Sequence, residues 1–209
     1  MAAIMLIRHG ETDWNVEEIF RGQMDVPLNE TGISQAKLLA EHLKDLQIEA
    51  IYSSPLQRAL RTAEITADYH NVKVEISEGL IDFNYGEWQG LSQKTVKEKY
   101  PGVYDAWMNN KLIRVPGGEG LDNVRARSLS LVKQVVARYK DTVALVSHRV
   151  TNKVLICALL GLNNSHFWNI KLDNCGVTTF LYENRRFILD KHNDTSFLRP
   201  LGGPKLSDF

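Results

Sequence analysis

The 209-residue chain has two cysteines, no net charge and no apolar run of membrane-spanning length, and each shortage removes a class of protein. Cys157 and Cys175 stand far apart with no CxxC or Cys/His ligand spacing. That pattern excludes a disulfide framework and a structural zinc site, and leaves two reduced core thiols. Lys plus Arg and Asp plus Glu both number 25, so the overall charge calls for neither nucleic acid nor an anionic membrane as partner. Any anion must be bound locally. The apolar N-terminal stretch has no basic region ahead of it and is cut at Arg8, short of a signal peptide or a membrane span. A soluble, cytoplasmic protein is expected. No internal repeat or linker is visible, so one domain over residues 1–199 with a loose Gly- and Pro-rich tail over 200–209 is expected.

Short apolar runs alternate with helical periodicity. Ala2 to Ile7, Ala50 to Ser53 and Thr142 to Ser147 read as buried strands. Val72 to Ile76 alternates like a strand near a sheet edge, and Val177 to Tyr182 with Arg186 to Lys191 reads as two further strands joined at Glu183-Asn184-Arg185. Ile33, Ala36, Leu39, Ala40, Leu43 and Leu46 recur at helical spacing after a cap at Asn29 or Thr31. Ser54 as cap and Pro55 as first helical residue open a helix to about Tyr69. Ser92 to Tyr100 forms a short helix ended by Pro101-Gly102, and helices are expected from Leu121 to Tyr139 and from Val150 to Leu160. Glu78 to Gly90 reads as a loop over the site. The order predicts a three-layer α/β/α sandwich around a mostly parallel sheet.

In such sheets ligands bind beyond the carboxyl ends of strands. Three polar junctions fall there: Arg8-His9, Ser53 to Arg58, and Ser147-His148. Neutral imidazole is a competent nucleophile at pH 7, and guanidinium forks match phosphate oxygens while staying charged. Arg58 falls in the first turn of its helix, where free backbone N–H groups also favour an anion. Two histidines and two arginines on one sheet edge therefore suit a phosphoryl group. His42, His70, His166 and His192 lie in no such motif and are read as structural or exposed, as is Arg61.

Arg8-His9-Gly10-Glu11-Thr12 with Asn15 resembles the signature of the histidine phosphatase superfamily, the phosphoglycerate mutase-like group. Five further segments resemble it in the same order: Asp25 to Gly32, Ser53 to Ala59 with Thr62-Ala63, Gly86 to Gly90, Pro116 to Glu119, and Val146-Ser147-His148. The resemblance implies that His9 attacks phosphorus, that Arg8, Arg58 and His148 hold the phosphoryl oxygens, and that Asn15, Arg21 and Gly22 line the phosphate pocket with Tyr85 nearby. It also implies a carboxylic acid that protonates the leaving oxygen and then activates water. That position is Asp82, where the family usually has Glu; Glu87 is the alternative. No metal or other cofactor is required by this scheme.

A phosphatase acting on a small phosphomonoester is favoured over a mutase, because the family's mutases resemble longer chains and here the connection from Gly102 to Val115 is short. A catalytically silent phosphate-binding module is the third reading. Arg149 replaces the Gly that usually follows the second histidine, and either contacts a second anionic group of the substrate or turns to solvent. Phosphoserine, α-ribazole phosphate and sugar phosphates are the substrates the resemblance suggests. Phe83, Tyr85, Trp107 and Met108 are candidates for an apolar wall. Val177 to Tyr182, if at a sheet edge, would be able to pair across a homodimer.

Overall fold

The computed structural model describes residues 2–109, 111 and 114–202. Its strands are β1 (Ala2–Arg8), β2 (Ile48–Ser53), β3 (Val74–Ile76), β4 (Thr142–Ser147), β5 (Val177–Glu183) and β6 (Arg186–Asp194), and its helices are α1 (Asp13–Val16), α2 (Glu30–Leu43), α3 (Gln57–Ala67), α4 (Gln93–Lys99), α5 (Pro101–Met108), α6 (Leu121–Arg138) and α7 (Arg149–Leu159). They form one sheet in the order β3-β2-β4-β1-β5-β6. β3, β2, β4 and β1 are parallel, whereas β5 adds antiparallel to β1 and β6 closes a hairpin on β5.

The sheet is covered on both faces, which is why β1 is apolar throughout rather than alternating. Met5 and Ile7 pack in one core with Leu39 and Leu43 of α2 (Glu30–Leu43) and with Ala59 and Ala63 of α3 (Gln57–Ala67). Ile4 and Leu6 pack in the other, with Val132 and Val135 of α6 (Leu121–Arg138) and Leu155 and Ile156 of α7 (Arg149–Leu159). The expected α/β/α sandwich is the observed one. A third core lies beyond the sheet, where Phe83, Tyr85, Trp88, Trp107 and Phe167 cluster. Trp88 is fully buried and anchors the segment after β3, which carries two 3-10 turns, Glu78–Leu80 and Gly86–Trp88.

Several expectations are corrected. β5 lies inside the sheet between β1 and β6, so the edge on that side is β6 and pairing through Val177 to Tyr182 is closed off. The reason is the two-residue hairpin: Asn184 and Arg185 both take positive φ, 50° and 62°, which folds β6 directly onto β5. The short helix Gln93–Lys99 stops before Pro101 as expected, but Pro101 also begins a second one, Pro101–Met108, as its fixed φ allows at a first helical position. Ser54 does not cap α3, which starts at Gln57; its hydroxyl is used elsewhere. Pro200 and Leu201 belong to a 3-10 helix, Ser196–Leu201, and residues 203–209 lie outside the described residues. Among the described residues no helix is long and apolar enough to cross a membrane. Both cysteines are free and buried.

Candidate active site

Adjacent strands β1, β4 and β2 end side by side and deliver Arg8-His9, His148 and Ser53-Ser54 to one edge. The His9 loop is seated by a backbone approach that only glycine permits. A Cβ on Gly32 would stand 2.1 Å from the Glu11 carbonyl oxygen, and one on Gly10 would stand 2.5 Å from that of Gly32. Asn29 caps α2 by accepting from the Gly32 N–H and donates its own amide to Glu11. Thr62 of α3 accepts from the Gly10 N–H at 3.1 Å. The segments around Asn29 and Thr62 thus share one task, holding the loop that carries His9.

His9 is buried, with Nδ1 2.6 Å from the Gly10 carbonyl oxygen. A carbonyl only accepts, so Nδ1 carries the proton and Nε2 presents its lone pair. Burial lowers the proton affinity of His9 well below that of an ordinary histidine, and the charges of Arg58, Arg8 and Arg21 lower it further. The imidazole is neutral and nucleophilic at pH 7. Burial, then Arg58, does the same to His148, whose ring centroid lies 5.2 Å from that of His9.

The arginines are held by carbonyl oxygens. Arg8 donates to Leu172, and Arg58 donates from Nη1 to Met24 and from Nη2 to Gly22. Arg21 donates to Trp14 at 2.8 Å. Burial and the charges of Arg8 and Arg58 push Arg21 down to about 9, so it remains a cation at pH 7. The buried donor atoms without a hydrogen-bond partner among the described residues include Asn15 Nδ2, Arg21 Nε, Arg58 Nε and His148 Nδ1. Native structures rarely leave such donors unmatched, and an anion with several acceptor oxygens matches them.

Asp82 stands in the same pocket. Its Oδ1 accepts from the Phe83 N–H, while Oδ2 lies 3.1 Å from Arg58 Nη2 and 3.8 Å from His148 Nδ1. The backbone before it is pinned at four consecutive carbonyls. Arg127 Nη1 holds Gly79, Ser147 Oγ holds Leu80 and Thr151 Oγ1 holds Ile81; Arg127 Nη2 and Gln23 together hold Asp82. Glu119 of the Gly-Gly-Glu turn accepts from both Arg127 and the Asn84 N–H, which ties that turn to the acid segment. Glu87 is elsewhere, exposed and accepting from Tyr100.

One small pocket is lined by His9, Arg21, Gly22, Asp82, Tyr85 and Arg149 together with Ile19, Phe20 and Val150. Gly22 has φ +52°, and a Cβ there would collide with the Gln89 side chain. Arg149, the first residue of α7, is buried beside the Tyr85 hydroxyl and does not turn to solvent. Asn15 accepts from the Thr12 N–H and hydroxyl. Phe83 and Trp107 belong to the aromatic core and Met108 is partly exposed, so of the four proposed wall residues Tyr85 alone lines this pocket. Arg127, Gln23 and Thr151 escape sequence reasoning as site residues. Arg127 is one of several charges on an amphipathic helix, and only the fold reveals what it holds. Among the described residues no three His, Cys, Asp or Glu side chains converge as metal ligands would.

A sheet edge with two neutral buried histidines, a set of guanidinium groups and one carboxylate defines a phosphoryl-transfer site. The model of the histidine phosphatase superfamily (branch 1) matches residues 4–195, and the chain belongs to that family. It is 36% identical over 200 residues to phosphoserine phosphatase 1 of Hydrogenobacter thermophilus, covering 95% of each chain. Its fold is similar to that of Bacillus stearothermophilus YhfR, with TM-score 0.90, 31% identity and coverage of 95% and 100%. A mycobacterial glucosyl-3-phosphoglycerate phosphatase complexed with VO3 aligns at TM-score 0.86 and 32% identity, over 91% of this chain and 98% of that one. The chain is a phosphoric monoester hydrolase of the histidine phosphatase type.

Proposed function

We propose that this enzyme hydrolyses a small phosphomonoester bearing a carboxylate, through a phosphohistidine on His9. The observation that carries the reading is the His9 Nδ1 to Gly10 carbonyl bond, which aims an unprotonated Nε2 into a site of guanidinium groups. In the first step Nε2 bonds to phosphorus as the ester P–O bond breaks. The departing oxygen keeps the bonding electron pair and takes a proton from Asp82. In the second, water attacks the phosphohistidine, gives its proton to Asp82 and releases inorganic phosphate, leaving His9 as it began. Arg8, Arg58 and His148 hold the equatorial oxygens, where preorganised donors stabilise charge in the transition state. Asn15 and Arg21, with backbone room at Gly22, complete the cradle.

Arg149 supports the choice of substrate. The guanidinium groups around the pocket outnumber its one lining carboxylate, Asp82. A phosphomonoester dianion leaves positive charge over, and a substrate carboxylate beside Arg149 and Tyr85 offsets it. Phosphoserine and glucosyl-3-phosphoglycerate, named for two of the relatives, both carry one. The test is phosphate release, with a metal chelator present, from phosphoserine, phosphoglycerates, sugar phosphates and p-nitrophenyl phosphate. Release that survives chelation, is greatest for a carboxylate ester and disappears in His9→Ala is the expected result. Interconversion of phosphoglycerates without release would establish a mutase, and silence in both assays a binding module.

A further inference from the structure

The Gly10 carbonyl occupies Nδ1 of His9, whereas at His148 it is Nε2 that is occupied, by a serine outside the phosphoryl cradle. His148 Nε2 lies 2.7 Å from Ser54 Oγ, with both side chains fully buried. Ser54 Oγ also accepts from the Leu56 N–H at 3.3 Å. Two arrangements are conceivable. If Nε2 carried the proton, it would donate to Ser54, whose own O–H would then have no acceptor. The bare Nδ1 would meanwhile face the Asp82 carboxylate at 3.8 Å, lone pair against negative charge. If Nδ1 carries the proton, the Ser54 O–H donates to Nε2, and the Nδ1–H points toward Asp82 Oδ2. The first arrangement strands the Ser54 O–H and sets a lone pair against a carboxylate, whereas the second gives that O–H its acceptor and leaves an unmatched Nδ1–H facing the carboxylate, open to an anion. A buried hydroxyl without an acceptor is costly, so the environment selects between the tautomers.

We infer that Ser54 is a positioning residue that locks His148 in its Nδ1–H tautomer. His148 is thereby an N–H donor to a phosphoryl oxygen, while the Gly10 carbonyl makes His9 a lone-pair donor to phosphorus. The division of labour between two chemically identical side chains is set by what each one's other ring nitrogen touches. This extends the proposed roles of His9 and His148, but its central claim concerns the resting enzyme and is read without substrate.

The experiment is nitrogen NMR of imidazole-labelled enzyme, with His148 assigned from His148→Gln, alongside kinetics of Ser54→Ala. The expected native spectrum shows Nδ1 protonated and Nε2 unprotonated at both His148 and His9. In Ser54→Ala the His148 signals move toward a tautomer mixture, and kcat falls about ten- to a hundredfold with KM within about threefold, the pattern of an interaction strengthened in the transition state. Ser54→Thr, which keeps the hydroxyl, retains the native tautomer signals. A native His148 protonated at Nε2 overturns the inference whatever the variants do. A Ser54→Ala enzyme with unchanged signals and unchanged kcat overturns it as well. If the tautomers are as inferred but no phosphohistidine forms, the catalytic reading fails and the positioning one stands.

Discussion

Arg127 Nη2 donates to the backbone carbonyl of Asp82 at 3.2 Å while its Nη1 donates to Gly79 at 3.0 Å, so one guanidinium on α6 staples both ends of the segment that carries the acid. Asp is one methylene shorter than the Glu expected at this position, and a short side chain depends more on where its backbone is held. Replacing Arg127 by Ala leaves two carbonyls and Glu119 without this donor. The expected outcome is a loss of about 1–3 kcal/mol of stability and a drop of about tenfold or more in kcat. Urea melts and steady-state kinetics check it, and unchanged kcat would separate Arg127 from acid placement.

Asp82 and Glu87 make a direct comparison. Asp82 touches Arg58 and faces His148, whereas Glu87 accepts a hydrogen bond from Tyr100 outside the pocket. Asp82→Asn is expected to lower kcat by about 10²–10⁴ on an alkyl phosphate, the usual worth of a general acid. Glu87→Gln is expected to stay within about twofold of the native value. Rates measured on phosphoserine decide; the reverse ranking would assign the acid to Glu87.

Arg149→Ala removes a guanidinium from the pocket without touching His9, Arg8 or Arg58. For a carboxylate-bearing ester, KM is expected to rise about ten- to a hundredfold, the worth of a charged hydrogen bond of about 1.5–3 kcal/mol. For p-nitrophenyl phosphate it should move far less. Equal losses on both substrates would place Arg149 on the phosphate instead.

Acid should destabilise the protein at a higher pH than carboxylates alone would explain. His9 and His148 have folded-state proton affinities well below the unfolded value of about 6.5. Between that value and their lower folded values the unfolded chain binds more protons, so stability rises with pH. Their contribution is complete above about pH 6.5 and is lost as pH falls, with a slope of up to about 1.4 kcal/mol per pH unit for each histidine. Urea unfolding at pH 7.5, 6.0 and 5.0 measures it. His9→Gln should flatten the slope, and a native protein equally stable at all three would contradict the burial argument.

Much of this site is written where strands stop. Arg8-His9, Arg58 and Ser147-His148 are legible because each follows an apolar run, and the ends of neighbouring strands must meet. Asn29 to Gly32 is visible as a motif, but its purpose, the 2.1 Å approach of a would-be Gly32 Cβ to Glu11, exists only in the folded chain. Ser54 illustrates a misreading with a physical cause. A serine before proline has the local chemistry of a helix cap, and long-range contact with His148, 94 residues away, claims its hydroxyl instead. β5 was legible as a strand but not as an interior one, because a half-polar strand reads alike at an edge or beside one. Arg127 gave no local signal at all.

The measurement that bears most directly on the account is capture of the covalent intermediate by rapid quench with ³²P-labelled substrate and a chelator present. Native enzyme is expected to carry an acid-labile, base-stable phosphoryl group that maps to His9 and is absent from His9→Ala. With p-nitrophenyl phosphate, whose leaving group needs no proton, Asp82→Asn should accumulate that species, since formation persists while water lacks its base. Phosphate released at the native rate by His9→Ala, or a label on any residue other than His9, would contradict the central claim.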